Sequence, residues 1–139
     1  MRQMLGIALV LAVAGCRGPA EPRLVSVEVS SPADVTLRIG QAVRVDGKLR
    51  ATFIGVPADS RCPATAECIW AGDAAVAITS STGTGSSCPD TLHTANPTLA
   101  LCGNYLISLL ELTPYPQVPG QIPPGVYEAR LRFSTGDPP

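Results

Sequence analysis

The chain lacks the charge pattern by which proteins attract nucleic acid. Its 139 residues include ten Lys or Arg and eleven Asp or Glu, for a net charge of −1, and like charges form no run. A nearly neutral chain without a basic stretch has little electrostatic attraction for polyanions or anionic surfaces. We therefore expect neither nucleic acid nor anionic lipid as a partner.

Catalytic groups are also scarce. The sequence has one histidine, His93, and no Gly-x-Ser-x-Gly element. Nucleophilic catalysis needs a nucleophile with an oriented base, and no such set is visible. The sequence therefore predicts a protein without enzymatic activity, with a hydrolase dependent on His93 as an open alternative.

Long apolar runs are absent as well. The longest, residues 4–14 behind Arg2, has 11 residues. That length is too short to span a bilayer but suits the apolar region of a signal peptide. Residues 1–15 are therefore predicted to be a signal peptide.

The run ends in Val13-Ala14-Gly15-Cys16, which resembles the lipobox of bacterial lipoprotein precursors. The resemblance implies cleavage before Cys16 and covalent lipid on Cys16, with cleavage elsewhere and a soluble secreted protein as the alternative. The proline-containing tether, residues 16–23, reaches roughly 20 Å beyond its cysteine. Arg17 follows Cys16 where an inner-membrane Gram-negative lipoprotein would have Asp, so the resemblance favours the outer membrane.

Short strands and turns are the remaining signal. The chain has 13 glycines and 14 prolines at strand-length intervals and little helical periodicity. This pattern predicts an all-β fold over residues 24–135, followed by a flexible tail at 136–139. The predicted architecture is an antiparallel β-sandwich of about seven strands, immunoglobulin-like, with a small β-barrel as the alternative.

Alternation of apolar residues places most of these strands. The polar residues 80–87 are predicted to be a loop from their composition. Residues 105–112 are apolar on both sides, so periodicity does not distinguish a buried strand from a buried helix, and their length of eight favours a strand. The inward-facing sets are Val25, Val27 and Val29; Val35, Leu37 and Ile39; Val43 and Val45; Leu49, Ala51 and Phe53; Ala74, Val76 and Ile78; and Tyr127, Ala129, Leu131 and Phe133.

Without Cys16, the chain has four cysteines, an even number that suits disulfides in an exported protein. Spacing favours Cys62 with Cys68 and Cys88 with Cys102, although the two other connectivities remain open. Loop-closure entropy gives about 2 kcal/mol for the shorter loop and about 3 kcal/mol for the longer.

One segment is unusual in composition. It reads Asp-Ser-Arg-Cys-Pro from Asp59, a second cysteine at Cys68, and then Trp-Ala-Gly from Trp70. This motif, followed later by Gly125-Val126-Tyr127, resembles a group of small, largely uncharacterised bacterial exported proteins and lipoproteins. The resemblance covers most of the chain after the signal peptide but implies no activity, and Cys88 and Cys102 lie outside the group's pattern.

The motif supplies the candidate binding residues. They are Asp59, Arg61, Glu67, Trp70 and Asp73. Structural roles are the favoured interpretation for several of them: Asp59 and Ser60 capping turn amides, Arg61 pairing with a carboxylate, and Trp70 packing in the core on the disulfide.

Two metal sites are weaker alternatives. Calcium would use Asp59, Glu67 and Asp73, and zinc would use Cys62, Cys68 and His93. No cofactor other than covalent lipid is expected.

These observations favour a membrane-anchored, non-enzymatic binding module of the cell envelope, with an envelope protein or extracellular ligand as its partner. The alternative is a structural accessory of a larger envelope complex that binds through a sheet edge. The sequence does not determine the oligomeric state.

Overall fold

Nine strands form two sheets in the computed structural model, which describes residues 26–83, 85, 87–96, 98–120 and 122–136. The predicted signal peptide, Cys16 and the tether lie outside these residues, as do Val25 and residues 137–139 of the predicted tail. The strands are β1 (Ser26–Val29), β2 (Ala33–Arg38), β3 (Ala42–Val45), β4 (Leu49–Asp59), β5 (Ala74–Thr82), β6 (Ser87–His93), β7 (Leu99–Cys102), β8 (Tyr105–Thr113) and β9 (Glu128–Thr135). The one helix in this part of the chain is a short 3₁₀ turn, Pro124–Val126.

The sheets have five and four strands, in the orders β1-β3-β4-β5-β6 and β2-β9-β8-β7. All pairings are antiparallel except that of β1 with β3, which is parallel. Both sheets keep free edge strands, so the barrel alternative is wrong and the predicted all-β sandwich is confirmed. No helix in the described ranges is long and apolar enough to cross a bilayer.

Alternating residues of the two sheets meet in one core. Phe53 and Ile78 from the larger sheet and Ile107, Leu131 and Phe133 from the smaller are almost completely buried. Burial of such a side chain contributes roughly 1.5–3 kcal/mol, so these facing rows hold the sheets together.

The predicted strand count is too low. β6 and β7 were not expected because the sequence Ser-Cys-Pro-Asp-Thr-Leu-His has no regular apolar alternation and β7 has only four residues. The predicted loop at 80–87 is also too long, since β5 continues to Thr82 and β6 starts at Ser87. Ser80 is buried, and its hydroxyl donates a hydrogen bond to the Cys88 carbonyl at 3.2 Å. This bond offsets the free-energy cost of burying the hydroxyl, so the strand can continue through this polar residue.

The first strand also differs from its prediction. Val29 is partly buried against the core, but Val27 is 44% exposed. β1 is an edge strand with one neighbour, so alternation along it does not guarantee that one face is covered. By contrast, the segment at 105–112, which is apolar on both of its faces, forms the predicted strand.

The two ends of the sandwich differ. We call residues 60–73, between β4 and β5, the motif loop, and the end of the sandwich where it lies the motif end. β8 also ends there, since Arg61 reaches the Leu112 carbonyl. The opposite end has the β3–β4 turn, the β7–β8 turn and the end of β9.

Candidate functional site

The motif loop extends the β4–β5 hairpin beyond the sheet. Its backbone continues the pairing, with the Ser60 amide donating to the Asp73 carbonyl at 2.7 Å and the Cys62 amide donating to the Ala71 carbonyl at 2.8 Å. The Cys62–Cys68 disulfide closes the tip of the loop, as the spacing predicted. The loop is therefore a braced projection and not a free coil.

Gly72 allows the two sides of this projection to approach each other. Its φ is +73°, and a Cβ atom added there would lie 1.8 Å from the Ser60 carbonyl oxygen. No side chain fits at that distance, so steric contact with Ser60 requires a glycine at the last position of Trp-Ala-Gly.

Arg61 fixes the base of the motif loop to the other sheet. It is 7% exposed and forms a two-point ion pair with Asp59, with Nε to Oδ1 at 2.9 Å and Nη2 to Oδ2 at 2.7 Å. It also donates to the carbonyls of Leu112 at 2.7 Å and Pro114 at 2.9 Å. The favoured structural role of Arg61 is confirmed, and its charge serves the fold.

Asp59 accepts further hydrogen bonds, from the Arg61 amide at 3.2 Å and the Tyr127 hydroxyl at 2.8 Å. Burial raises the pKa of Asp59, but its hydrogen bonds with Arg61 and Tyr127 outweigh burial and hold that pKa below the ordinary value. Burial and the bond to Asp59 raise the pKa of Tyr127 to about 12. Sequence reasoning gave Tyr127 a core role and missed this contact, which joins residues 68 positions apart.

A cavity of about 280 Å³ opens beside this cluster, between the motif loop and the proline-rich segment that precedes β9. Asp59, Arg61 and Tyr127 line it together with Pro63 and Pro124. Because the polar groups of this cluster already bond one another, they are poorly placed to bind a ligand.

Asp73 has a separate set of partners. Its carboxylate lies 2.5 Å from Nδ1 of His93 and accepts from the Thr94 hydroxyl at 3.0 Å and the Ala95 amide at 2.9 Å. Burial raises the pKa of Asp73, but these hydrogen bonds have the larger, opposite effect and lower the pKa to about 2. The β5–β6 pairing, in which His93 lies opposite Ala75, brings the two together, and no local motif predicts it.

The structure bears on both alternative metal sites, zinc and calcium. The zinc site is wrong, because Cys62 and Cys68 are bonded to each other. For calcium, the structure directs the carboxylates of Asp59 and Asp73 to different partners. Across the residues that the structure describes, no three His, Cys, Asp or Glu side chains are grouped to hold a metal ion.

The tip of the motif loop is apolar and exposed. Trp70 is 81% exposed and Ile69 is 92% exposed, next to the exposed Glu67. The prediction that Trp70 packs in the core is wrong, because the loop projects past both sheets and the indole has no core within reach. Sequence reasoning missed Ile69, although an Ile-Trp pair in a polar loop was the available signal.

The motif residues therefore divide into two groups. Asp59, Arg61 and Asp73 form internal bonds, whereas Ile69 and Trp70 face solvent from a fixed loop. Such an arrangement is suited to contact with another surface. Comparisons with models of protein families, with curated proteins and with solved structures find no match to this chain.

Proposed function

We propose that this chain is a lipid-anchored protein of a bacterial cell envelope that acts by binding and not by catalysis, through the tip of its motif loop. The lipobox-like sequence ending at Cys16 supports the anchor, and Arg17 supports the outer membrane. The two disulfides are consistent with an exported protein, since such bonds persist in oxidising compartments.

The observation that supports the binding role is the exposure of Ile69 and Trp70 side by side. Covering a large apolar side chain contributes roughly 1.5–3 kcal/mol, and tryptophan is enriched among the residues that dominate binding interfaces. The pair is therefore the best contact element of the motif loop.

The bracing of the loop strengthens this proposal. The Cys62–Cys68 bridge and the pairing across the base of the loop fix its backbone before any partner arrives. A contact element that is already ordered loses less conformational entropy on binding than a mobile one.

Photo-crosslinking in the native envelope tests the proposal. A photoreactive amino acid at position 69 should form an adduct with a defined envelope component, protein or lipid, identified by mass spectrometry. Trp70→Ser should remove that adduct, because it deletes the larger half of the contact. The matched control is the same photoreactive residue at position 101, an exposed leucine on β7.

A second candidate function is supported by β7 itself. Leu99 and Leu101 are 61% and 63% exposed, alternating with buried Ala100 and Cys102 on an edge strand. An edge strand with free backbone groups can pair with a strand of another protein, as in a structural accessory of an envelope complex. An adduct at position 101 and none at position 69 would support this function and contradict the loop.

A further inference from the structure

The chain enters the sandwich from the side of the motif loop. Ser26 lies opposite Ala42 in the parallel β1–β3 pair, and Ala42 lies opposite Thr52 in the antiparallel β3–β4 pair. β4 ends at the motif end, so β3 and β1 both begin on that side. Ser26, the first described residue, therefore lies at the end of β1 that is nearer the motif end.

Strand geometry relates the level of Ser26 to the motif loop. On β5, the partner of Thr52 is Thr79 and the partner of Asp59 is Ala74, five residues apart. At about 3.3 Å per residue, the base of the motif loop lies about 17 Å beyond the level of Ser26, with Ile69 and Trp70 farther out.

The chain between Cys16 and Ser26 is long enough to exceed this separation. These ten residues can span at most about 35 Å when extended. The chain before Ser26 can therefore reach up to about 18 Å past the base of the motif loop, so a lipid on Cys16 can lie in a bilayer that the loop contacts.

We propose that the motif loop rests on the bilayer to which Cys16 is attached, with Ile69 and Trp70 among the lipid headgroups. This inference rests on the proposed lipid anchor, and it names the bilayer as the surface that the binding tip contacts. The loop is then a second attachment point that sets the orientation of the domain on the membrane.

The distribution of exposed apolar side chains supports this orientation. Of the ten large hydrophobic residues that are exposed in the described part of the chain, none lies in the described turns of the opposite end. Five lie in the segments at the motif end, namely Ile69, Trp70, Tyr115, Val118 and Val126. Backbone bonds join two of these segments, from the Ala64 amide to the Pro116 carbonyl at 2.9 Å and from the Thr65 amide to the Gln117 carbonyl at 3.1 Å.

The chemistry of the tip suits a zwitterionic lipid surface. Tryptophan is enriched at membrane interfaces because its ring is largely apolar while its N–H can bond to headgroups or water. The charges of Arg61 and Arg38 at this end are paired with Asp59 and Glu128, so neither arginine is a free cation for anionic lipid. The short connection from Cys16 to Ser26 also keeps the tip at high local concentration near the bilayer, so even weak insertion suffices.

Fluorescence of the natively lipidated protein tests the inference, because Trp70 is the only tryptophan of the chain. The protein is reconstituted in phosphatidylcholine vesicles with bromine on the acyl chains, which quenches nearby indoles. Trp70 emission should move to shorter wavelength and lose most of its intensity relative to unbrominated vesicles. Ile69→Ser should reduce that quenching.

The matched control moves the probe. In the double variant Trp70→Phe, Leu101→Trp, the indole reports from β7 near the opposite end, and bromine should leave its emission unchanged. Equal quenching at positions 70 and 101 would overturn the proposed orientation.

The lipid anchor is tested separately, by measuring the intact mass of the protein and its flotation with the vesicles. Protein that has the acyl mass and floats but whose Trp70 is not quenched overturns the bilayer contact and leaves the anchor standing. Protein that has no acyl mass and does not float overturns both.

Discussion

Arg61 is a cation in a nearly buried position, and its stability there depends on Asp59. Removing one member of a buried ion pair leaves the other charge without compensation and typically costs about 3–5 kcal/mol. Arg61→Ala also removes the donors to the Leu112 and Pro114 carbonyls. We expect a loss of about that size in the free energy of unfolding, measured by urea denaturation.

Arg38→Ala is the matched control, because Arg38 forms an equally short contact of 2.7 Å with Glu128 but its side chain is 69% exposed. Solvent-exposed ion pairs contribute little, so this variant should unfold almost like the parent. Equal stability of the two variants would contradict the structural role of Arg61.

Asp73 should make the stability of the protein depend on pH in the acidic range. Its pKa is lowered from 3.8 to about 2 in the folded protein, so the folded state favours the ionised carboxylate. This stabilisation is complete above the unfolded pKa and is lost as the pH falls from about 4 toward 2. Asp73→Asn should therefore be less stable than the parent at neutral pH, by a difference that shrinks across that range.

Urea denaturation of the parent and of Asp73→Asn at a series of pH values measures this difference. A difference that stays constant from neutral pH to about pH 2 would show that the carboxylate of Asp73 is not the group responsible.

Sequence reasoning at the level of residues succeeded where chemistry is local. The Arg61–Asp59 pair spans two positions, and the Cys62–Cys68 bridge spans six. It failed where a partner comes from far along the chain, as with the Tyr127 hydroxyl on Asp59. The position of Trp70 was predicted wrongly for a related reason, because proximity to a disulfide does not reveal whether the loop packs on the sheets or projects beyond them.

Among the elements, the motif loop depends on Gly72. Gly40 has a similar positive φ, +83°, but a Cβ added there would meet nothing within 4 Å. Substituting each glycine by alanine therefore distinguishes the cost of backbone strain from the cost of a steric clash. Gly40→Ala should cost about 1 kcal/mol from its left-handed conformation alone.

Gly72→Ala should cost about 3 kcal/mol, because the Cβ must also push the Ser60 carbonyl away and weaken the hydrogen bonds at the base of the loop. Unfolding free energies measure both changes, and faster hydrogen exchange at the Ser60 and Cys62 amides should accompany only Gly72→Ala. Equal costs for the two substitutions would contradict the steric role of Gly72.

Strand prediction from the sequence depended on how much of each strand is covered. β9 shows clear alternation because one of its faces is buried along most of its length, and β4 shows it from Leu49 to Phe53, where alternate residues are buried. β6 lies at a sheet edge, where few side chains are required to be apolar, and β7 has only four residues, all of them apolar, so neither shows alternation and both were missed. The same physical condition explains the exposed Val27 on β1.

At the scale of the molecule, strand pairing determines which parts of the chain lie at the same end as the motif loop. The parallel β1–β3 pair places the start of β1 on the side of the motif loop, so the proposed anchor at Cys16 would join the domain from the same end as the exposed tip. The sequence predicts an anchor and a loop, but whether the two would share an end depends on strand pairing that composition and periodicity do not specify. The opposite end is left with short turns and the end of β9.

The Cys88–Cys102 disulfide, which the structure confirms, joins β6 of one sheet to β7 of the other. Closing this loop of 14 residues should contribute about 3 kcal/mol, against about 2 kcal/mol for the Cys62–Cys68 loop. We expect the double variant Cys88→Ala, Cys102→Ala to lose about 3 kcal/mol in urea denaturation yet to stay folded, because facing rows from both sheets still fill the core. The variant Cys62→Ala, Cys68→Ala is the control, and a larger loss in that control would mean that the motif loop, and not the link between the sheets, is the main covalent support of the fold.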